Sequence, residues 1–379
     1  MRFLHLGDLH LGKIINNFPM LEDQRYILNQ IMEHVKEQKP DAVILAGDIY
    51  DRSVPPAAAV SLYNDFLKAL LIDEKVPVLA VAGNHDGADM IHFGHQLFES
   101  ANYFVAGHYT TTLRKVTMHD EWGPVNFYLL PFADHAVVRE ALGNKDIKTL
   151  EDACLATMDT NPLDPGSRNI LITHHYVSGG TQALEQSDSE KRLVIGGKET
   201  VAASIFEGFN YVALGHLHRQ QPVQTSKIRY SGSILKYSFS EENDSKSITL
   251  VELDEKGEIT TSHLPLKPQR DVRTLKGSLQ ELLTNPQGFK EDYLRVILTD
   301  EGELIEPMAK LREVYPHIMS LSLERDLSER FKAREAFDAP VAKSTIELFS
   351  EFYQHQREQP LSEQGRMAME KILKAVEEG

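Results

Sequence analysis

Short apolar runs alternate with amphipathic segments over the first two-thirds of the chain. Six runs are predicted to be strands because they are short, apolar and rich in β-branched or aromatic residues. They lie at 2–6, 42–46, 76–82, 126–130, 169–173 and 211–214. Residues 20–38 and 57–71 repeat apolar positions at helical spacing and are predicted to be helices. This alternation indicates an α/β fold in which both faces of a sheet are covered.

The later part of the chain changes to hairpin strands, a small α/β unit and terminal helices. Strands predicted at 247–253 and 258–265 flank the turn sequence Asp-Glu-Lys-Gly. Residues 271–323 are predicted to form strand, helix, strand, helix and strand, and a charged segment at 324–339 a linker or solvated helix. Two amphipathic helices are predicted at 341–356 and 362–378. We therefore expect three parts, at 1–268, 269–325 and 340–379.

Five of the apolar runs end in residues that can bind metal. The motifs are Gly7-Asp8-Leu9-His10, Gly47-Asp48-Ile49-Tyr50-Asp51, Gly83-Asn84-His85-Asp86, Thr173-His174-His175 and Gly215-His216-Leu217-His218. Each motif alone is compatible with an ordinary cap or turn. Loops at the carboxyl ends of strands converge on one edge of an α/β sheet, however. Five such motifs at successive strand ends therefore predict one cluster of Asp, Asn and His side chains.

The donor types in these motifs restrict the metal chemistry. Carboxylate, carboxamide and imidazole groups suit Mn²⁺, Fe or Zn²⁺, and the absence of cysteine from the motifs argues against a structural zinc site. Six or seven ligands are too many for one ion that keeps open positions. Two ions about 3.5–4 Å apart, sharing one carboxylate, would use them all, and such pairs hydrolyse phosphate esters.

The ordered motifs resemble those of the calcineurin-like metallophosphoesterase superfamily. Three further stretches, at 211–219, 230–233 and 238–241, are similar to the SbcD family of bacterial DNA nuclease subunits. The resemblance is dense over 1–241, looser over 271–323, and returns at 346–353. It implies a two-layered sheet sandwich flanked by helices, followed by a small α/β capping domain and C-terminal helices.

The resemblance also implies a role for each motif residue. A first ion would be held by Asp8, His10, Asp48 and His218, and a second by Asp48, Asn84, His175 and His216. Mn²⁺ is the expected metal, and the two ions would activate a water molecule for in-line attack on phosphorus. His85 would donate a proton to the leaving oxygen or stabilise the transition state, and Asp51 would orient its ring. His174 is the alternative to His175, which we favour because residues 176–179 follow it as in the family.

The function implied by the resemblance is that of a metal-dependent DNA nuclease in repair and recombination. It would cleave duplex ends in the 3′–5′ direction and cut single strands or hairpins internally. An SbcC-type coiled-coil ATPase would bind the C-terminal helices, where Ile346, Phe349 and Tyr353 form an apolar stripe. The family further implies a homodimer within a heterotetramer. Candidate phosphate contacts near the capping domain are Lys267, Arg270, Arg273 and Lys276.

Two other functions remain open from the sequence. A phosphoprotein phosphatase or small-molecule phosphodiesterase of the same superfamily would use the same ligands, and Arg52 occurs at this place in the phosphatases. The roughly 110 residues after the catalytic region argue against a stand-alone phosphatase. A metal-binding scaffold that does not cut is disfavoured by the complete ligand set with His85 and Asp51.

The composition limits the class of protein further. The chain has 379 residues, with 40 Lys and Arg against 56 Asp and Glu, which gives a net charge of -16. Because phosphate-binding proteins are usually basic, charge alone argues against nucleic acid, although bound cations would offset part of it. No apolar run approaches the roughly 18–20 residues of a membrane span, and we see no signal peptide. With Cys154 as the single cysteine, we expect a cytoplasmic, nucleoid-associated protein.

Overall fold

The computed structural model describes residues 1–179, 184–190, 200–286, 288–325, 345–357 and 359–377. The chain divides into two compact units, Met1–Leu321 and Ser322–Gly379. The first unit contains two six-stranded sheets and a smaller three-stranded sheet, with helices on the outside. The predicted α/β class with a two-layered sheet sandwich is therefore confirmed.

The strands of the described residues are, in chain order, β1 (Arg2–Leu6), β2 (Ile14–Ile15), β3 (Phe18–Pro19), β4 (Ala42–Ala46), β5 (Val78–Val81), β6 (Tyr103–Ala106), β7 (Arg114–Asp120), β8 (Gly123–Leu130), β9 (Arg168–Thr173), β10 (Val177–Ser178), β11 (Val201–Ala202), β12 (Tyr211–Leu214), β13 (Gln221–Val223), β14 (Thr225–Tyr230), β15 (Ser247–Leu253), β16 (Ile259–Pro265), β17 (Val272–Gly277), β18 (Tyr293–Leu298) and β19 (Ile318–Leu323). The helices are α1 (Leu21–Gln38), α2 (Ala57–Lys68), α3 (Ala88–His92), α4 (His95–Phe98), α5 (His135–Leu142), α6 (Leu150–Thr160), α7 (Leu279–Thr284), α8 (Pro307–Arg312), α9 (Thr345–Arg357) and α10 (Glu363–Glu377).

The two large sheets each combine a group of parallel strands with antiparallel strands, at one edge of the first sheet and at both edges of the second. The first has the order β16-β15-β1-β4-β5-β6, in which β1, β4, β5 and β6 are parallel. The second has the order β13-β14-β12-β9-β8-β7, in which β8, β9, β12 and β14 are parallel. Because the parallel strands of each sheet run the same way, their carboxyl ends lie along one edge.

The core consists of three buried layers because strand side chains alternate between faces. The inner faces of the two sheets meet through an aromatic group, in which the ring of Phe3 lies 5.8 Å from Phe127 and 5.7 Å from Tyr211. Beside them, His5 on β1 is fully buried and its Nδ1 lies 2.9 Å from the Tyr211 hydroxyl. Helices α1 and α2 cover the outer face of the first sheet, and α6 covers that of the second.

The small sheet β17-β18-β19 packs against the sandwich through a buried carboxylate. Asp23 of α1 is only 1% exposed and accepts hydrogen bonds from Arg270 and from the Tyr293 hydroxyl, both at 2.7 Å. Lys236 pairs with Asp271 at 2.8 Å. The compact unit thus continues to Leu321, and the division predicted between 268 and 269 stays a prediction.

The second unit contains α9 and α10, close to the two helices predicted at 341–356 and 362–378. Most of the predicted linker at 324–339 lies outside the described residues, as do residues 341–344. Among the helices that the structure does describe, we find none with the length and apolar character needed to cross a membrane.

Candidate metal centre

Five loops at the carboxyl ends of strands bring the predicted residues to one edge of the sandwich. Asp8 and His10 follow β1, Asp48 follows β4, and Asn84 follows β5. From the second sheet, β9 leads into His174, and β12 leads into His216 and His218. The first sheet therefore supplies the carboxylates and the carboxamide, and the second sheet supplies most of the imidazoles. Convergence of these loops agrees with the sequence-based expectation.

Glycines beside the donor residues make the close approach of these loops possible. A Cβ atom on Gly47 or Gly215 would overlap His174, and one on Gly83 would overlap the Asp48 carboxylate. The donor residues themselves are backbone outliers, since φ is 53° at Asp8, 50° at Asp48, 45° at His10 and 96° at His216. Non-glycine residues held at positive φ cost about 1–3 kcal/mol each and cluster at functional sites.

Donor atoms of Asp8, His10 and His218 form the first group, within 4.8 Å of one another. The Nε2 atoms of His10 and His218 are 3.0 Å apart, and His10 Nε2 lies 3.6 Å from an oxygen of Asp48. All four residues are buried. The group has the donors predicted for the first ion.

A second group combines Asp8, Asp48 and His174, again within 4.8 Å. His174 Nε2 lies 3.3 Å from an oxygen of Asp48 and 3.2 Å from the carboxamide oxygen of Asn84. The same oxygen of Asn84 lies 3.1 Å from His216 Nδ1. Because Asp48 is close to His10 in the first group and to His174 in the second, it occupies the position expected of a bridging carboxylate.

The structure brings His174, and not the predicted His175, to this group. The ring of His175 faces away from the carboxylates, with Nδ1 2.8 Å from the Thr173 hydroxyl and the ring centre 5.5 Å from that of Phe132. His174 Nδ1 instead lies 2.7 Å from the carbonyl oxygen of Ala46, which directs Nε2 at Asp48. The geometry therefore favours the alternative, His174, over His175, and the choice of ligand stays a prediction.

His85 and Asp51 are in contact, but through a different group from the one predicted. His85 Nδ1 lies 2.8 Å from the main-chain carbonyl oxygen of Asp51. The Asp51 carboxylate pairs with Lys13 at 2.7 Å and lies 3.7 Å from His10 Nδ1. The His85 main-chain N–H donates to Asp48 at 2.9 Å. In the structure the main chain of Asp51 contacts the His85 ring, and the predicted role of its carboxylate stays a prediction.

Burial shifts the pKa values of these side chains, and for three of the imidazoles the shift suits cation binding. Burial lowers the pKa values of His10, His216 and His218, that of His216 to about 3, so these imidazoles are neutral and have free lone pairs. Burial also raises the pKa of Asp8 well above its usual range. For His174, burial alone would lower the pKa, but the adjacent Asp48 outweighs it and raises that pKa to about 9.

The donor set fits divalent cations. Buried carboxylates and neutral imidazoles converge here, and His10 Nδ1 is a buried polar atom with no hydrogen-bond partner. Charged ligands buried at this density ordinarily coordinate metal. The structure therefore supports a divalent metal centre.

Several supporting residues were not identified from the sequence. Asp86 accepts main-chain N–H bonds from Gly83, Ile49 and Tyr50, which joins the loops after β4 and β5. Its place within the motif at 83–86 was the available signal. Around His218, the supporting groups are Ser189, Glu190, Glu241 and Lys246. Of these, only Glu241 lay in a stretch noted for its resemblance to the family.

Two of the candidate phosphate contacts are already paired with carboxylates. Arg270 pairs with Asp23 at 2.7 Å, and Arg273 pairs with Asp292 at 2.5 Å. Arg270 attaches the small sheet to α1, and Arg273 joins β17 to the residue that precedes β18. Lys267 is exposed and donates its main-chain N–H to Gln30, which leaves its side chain available in the proposed phosphate role.

Comparisons with known proteins identify the family of this chain. The calcineurin-like phosphoesterase family model matches residues 1–220, and a model described as type 5 capsule protein repressor C-terminal domain matches residues 268–357. The chain is 35% identical over 370 residues to the SbcD subunit of the nuclease SbcCD from Staphylococcus epidermidis, covering 96% of this chain and 95% of the relative. Two solved structures, of TT1561 from Thermus thermophilus and of a dimetal phosphatase from Danio rerio, each cover 69% of this chain and 98% of their own, with identities of 10% and 12% and TM-scores of 0.40 and 0.39. The chain therefore belongs to the calcineurin-like phosphoesterase family and, within it, to the family of SbcD nuclease subunits.

Proposed function

We propose that this chain is the nuclease subunit of a DNA repair complex and that it hydrolyses DNA phosphodiesters with two divalent cations, Mn²⁺ being the expected metal. The observation that carries the proposal is the buried donor set shared around Asp48, at the edge where five loops converge. The name of the Staphylococcus epidermidis relative supports a nuclease activity. The specific activities proposed are 3′–5′ cleavage of duplex ends and internal cleavage of single strands or hairpins.

The donors divide into two sets. We assign Asp8, His10, Asp48 and His218 to one cation, and Asp48, Asn84, His174 and His216 to the other. When bound, such cations supply Lewis-acid activation of water and neutralise charge on the phosphate. The protein holds these donors in loops that glycines and buried packing keep in place, so little rearrangement is needed when the cations bind.

His85 is the proposed general acid. Its Nδ1 faces the Asp51 carbonyl oxygen, which can only accept, so Nδ1 carries a proton and donates it there. The Nε2 atom points toward the centre, 4.0 Å from Asp48. In the protonated ring, Nε2–H is therefore the donor that can reach a leaving oxygen.

The proposal is tested with the full chain, Mn²⁺ and end-labelled duplex and hairpin DNA. His85→Ala should abolish cleavage while the bound Mn²⁺, measured by isothermal titration, stays as in the parent. His119→Ala, a change to an exposed histidine on β7, is the matched control and should cleave normally. Loss of Mn²⁺ from His85→Ala would make His85 a ligand instead.

Phosphatase chemistry is the rival function, and Arg52 is the residue that favours it. The Arg52 side chain is half exposed beside the centre, 3.9 Å from the Asp51 carboxylate, and a guanidinium there can grip a phosphate. A parent protein that hydrolysed phosphoprotein or small phosphodiesters but no DNA, even with its ATPase partner, would establish this function and overturn the nuclease proposal.

The C-terminal helices are the proposed contact for an SbcC-type ATPase. Phe352 on α9 and Met367 and Ile372 on α10 are large apolar side chains that are exposed within their unit. An amphipathic helix with such an unpaired face suits docking against a coiled coil. Co-purification of the ATPase with the parent, but not with Phe352→Glu, would support this contact.

A homodimer is proposed through an apolar patch beside the loop that carries Asp51 and Arg52. Val54, Phe93 and Leu97 are exposed, and a cavity of about 580 Å³ is lined by Val54, Met90 and Phe93. Exposed apolar patches of this kind mark interaction surfaces. Sedimentation should give a dimer for the parent and a monomer for Phe93→Glu. Within the cytoplasm, we propose that this assembly works at the nucleoid.

A further inference from the structure

Hydrogen bonds to its main chain and to one ring nitrogen hold His218 in addition to its contact with the metal centre. Its main-chain N–H donates to Glu190 at 2.7 Å, and its carbonyl oxygen accepts from Lys246 at 2.8 Å. Its ring Nδ1 lies 2.7 Å from the hydroxyl of Ser189. The other ring nitrogen, Nε2, lies 3.0 Å from His10 Nε2 and faces the centre. Of the two ring nitrogens, only Nδ1 therefore has a hydrogen-bond partner outside the donor set among the described residues.

The direction of the hydrogen bond between Ser189 and His218 follows from the groups around it. Ser189 has one hydroxyl proton, and its oxygen lies 2.6 Å from an oxygen of Glu241. Glu241 is fully buried, and its other oxygen pairs with Lys246 at 2.7 Å. A carboxylate in such an ion pair only accepts, so Ser189 donates to Glu241. The Ser189 oxygen then accepts from the remaining neighbours, Ser187 and His218.

This direction fixes the tautomer of His218. Because Ser189 accepts from Nδ1, that nitrogen carries the proton and Nε2 keeps its lone pair. We propose that Glu241 is a positioning residue of the metal centre, which through Ser189 selects the His218 tautomer able to bind a cation. The inference rests on the proposed metal centre. It assigns to Glu241 a function that acts through two hydrogen bonds and without contact with the cation.

Glu241→Gln should reverse the direction of the two hydrogen bonds that connect residue 241 to His218. The side chain keeps its size, but its two ends now differ, one oxygen and one NH₂ group. The ammonium group of Lys246 requires the oxygen, which turns the NH₂ group toward Ser189. The Ser189 hydroxyl then donates to Ser187 or to His218 Nδ1 instead of to residue 241, and donation to Nδ1 moves the ring proton to Nε2, where it faces the centre. Loss of such supporting contacts typically lowers metal affinity by about 10–100-fold, and we expect a loss of this size for Mn²⁺.

Glu242→Gln is the matched control because it makes the same charge change one residue away. The Glu242 carboxylate accepts from Thr274 and lies 3.8 Å from Arg295 in the small sheet, and does not reach His218 in the described contacts. This variant should bind Mn²⁺ as the parent does. A general effect of removing negative charge near the centre would instead weaken Mn²⁺ binding in both variants, which would overturn the proposal.

The experiment measures Mn²⁺ affinity of the full-length variants by isothermal titration and, in the metal-free protein, the His218 tautomer by ¹⁵N shifts of labelled histidine. The expected result is weaker binding for Glu241→Gln together with a proton on Nε2. Parent-like affinity and tautomer in that variant would overturn the inference. If Glu241→Gln does not fold, Ser189→Ala decides, because it removes the hydroxyl that connects Glu241 to His218: reduced affinity supports the inference and parent affinity refutes it. A parent that binds no Mn²⁺ would refute the proposed function itself, which is a separate result.

Discussion

Replacing His174 and His175 one at a time tests which of two adjacent, equally buried histidines binds metal. Both are almost inaccessible, at 0% and 2% exposure, so His174→Gln and His175→Gln make matched changes. Gln keeps a polar side chain of similar length but lacks an imidazole nitrogen. Only His174 lies beside Asp48 and Asn84, so only its replacement should remove a ligand.

The size of the effect follows from the donor count. A four-ligand site for zinc supplies about 10–16 kcal/mol, so one ligand is worth about 2.5–4 kcal/mol. A free-energy difference of about 1.4 kcal/mol changes an affinity tenfold, and Mn²⁺ is bound less tightly than zinc. We therefore expect His174→Gln to lower the affinity for one of the two ions by about 50–100-fold. His175→Gln should leave both affinities unchanged and lower stability only through its contacts with Thr173 and Phe132.

The assay is isothermal titration with Mn²⁺, with metal content after dialysis as a second measure. The pH matters because Asp48 raises the pKa of His174 to about 9, and the cation binds the deprotonated ring. At about pH 7 the parent must first release that proton, at a cost of about 2.7 kcal/mol, so the gap between the parent and His174→Gln should widen toward pH 9. Metal loss in His175→Gln with full retention in His174→Gln would refute the assignment.

Three shorter predictions concern other parts of the molecule. Gly83→Ala should lower stability by about 1–3 kcal/mol and weaken Mn²⁺ binding, since its Cβ would overlap Asp48. Unfolding curves measure the stability and isothermal titration measures Mn²⁺ affinity, with Gly166→Ala as the control. Asp120→Asn should cost about 1–3 kcal/mol at neutral pH. Its hydrogen bonds from Arg168 hold the pKa of Asp120 below its usual value, so this stabilisation exists above about pH 4 and disappears as the pH falls; unfolding curves at several pH values check it. Saturating Mn²⁺, at about a hundred times Kd, should add about 2.7 kcal/mol to the free energy of unfolding for each bound ion, and EDTA should reverse it in a thermal melt.

The elements that could be predicted from the sequence are those whose apolar runs are unbroken. The run at 42–46 coincides with β4 and the run at 211–214 with β12, because strands buried on both faces need apolar residues throughout. Strand β7 was missed, since its sequence Arg-Lys-Val-Thr-Met-His-Asp is mostly polar at the edge of a sheet. The two-residue strands β2 and β3 are too short to leave any periodicity.

For the candidate metal centre, the sequence predicts which residues are present but not how their side chains are oriented. Motif spacing could place a histidine at the end of β9, but the choice between His174 and His175 depends on which ring the chain turns toward Asp48 after the strand ends. That turn is set by the contact with the carbonyl oxygen of Ala46, on the other sheet. The contact of His85 with the backbone rather than the carboxylate of Asp51 is likewise a tertiary detail. Residue types predict donors, whereas donor orientation depends on packing between distant strands.

The aromatic layer between the two sheets has a consequence for the metal centre above it. Asp8, His10, Asp48 and Asn84 are attached to one sheet, while His174, His216 and His218 are attached to the other, so no single sheet carries a complete donor set. Phe3, His5 and Tyr211 determine how far apart the two sheets lie. These core side chains therefore set the distance between the two parts of the donor set. Selection on catalysis can then operate on residues in the interior that never meet substrate or cation.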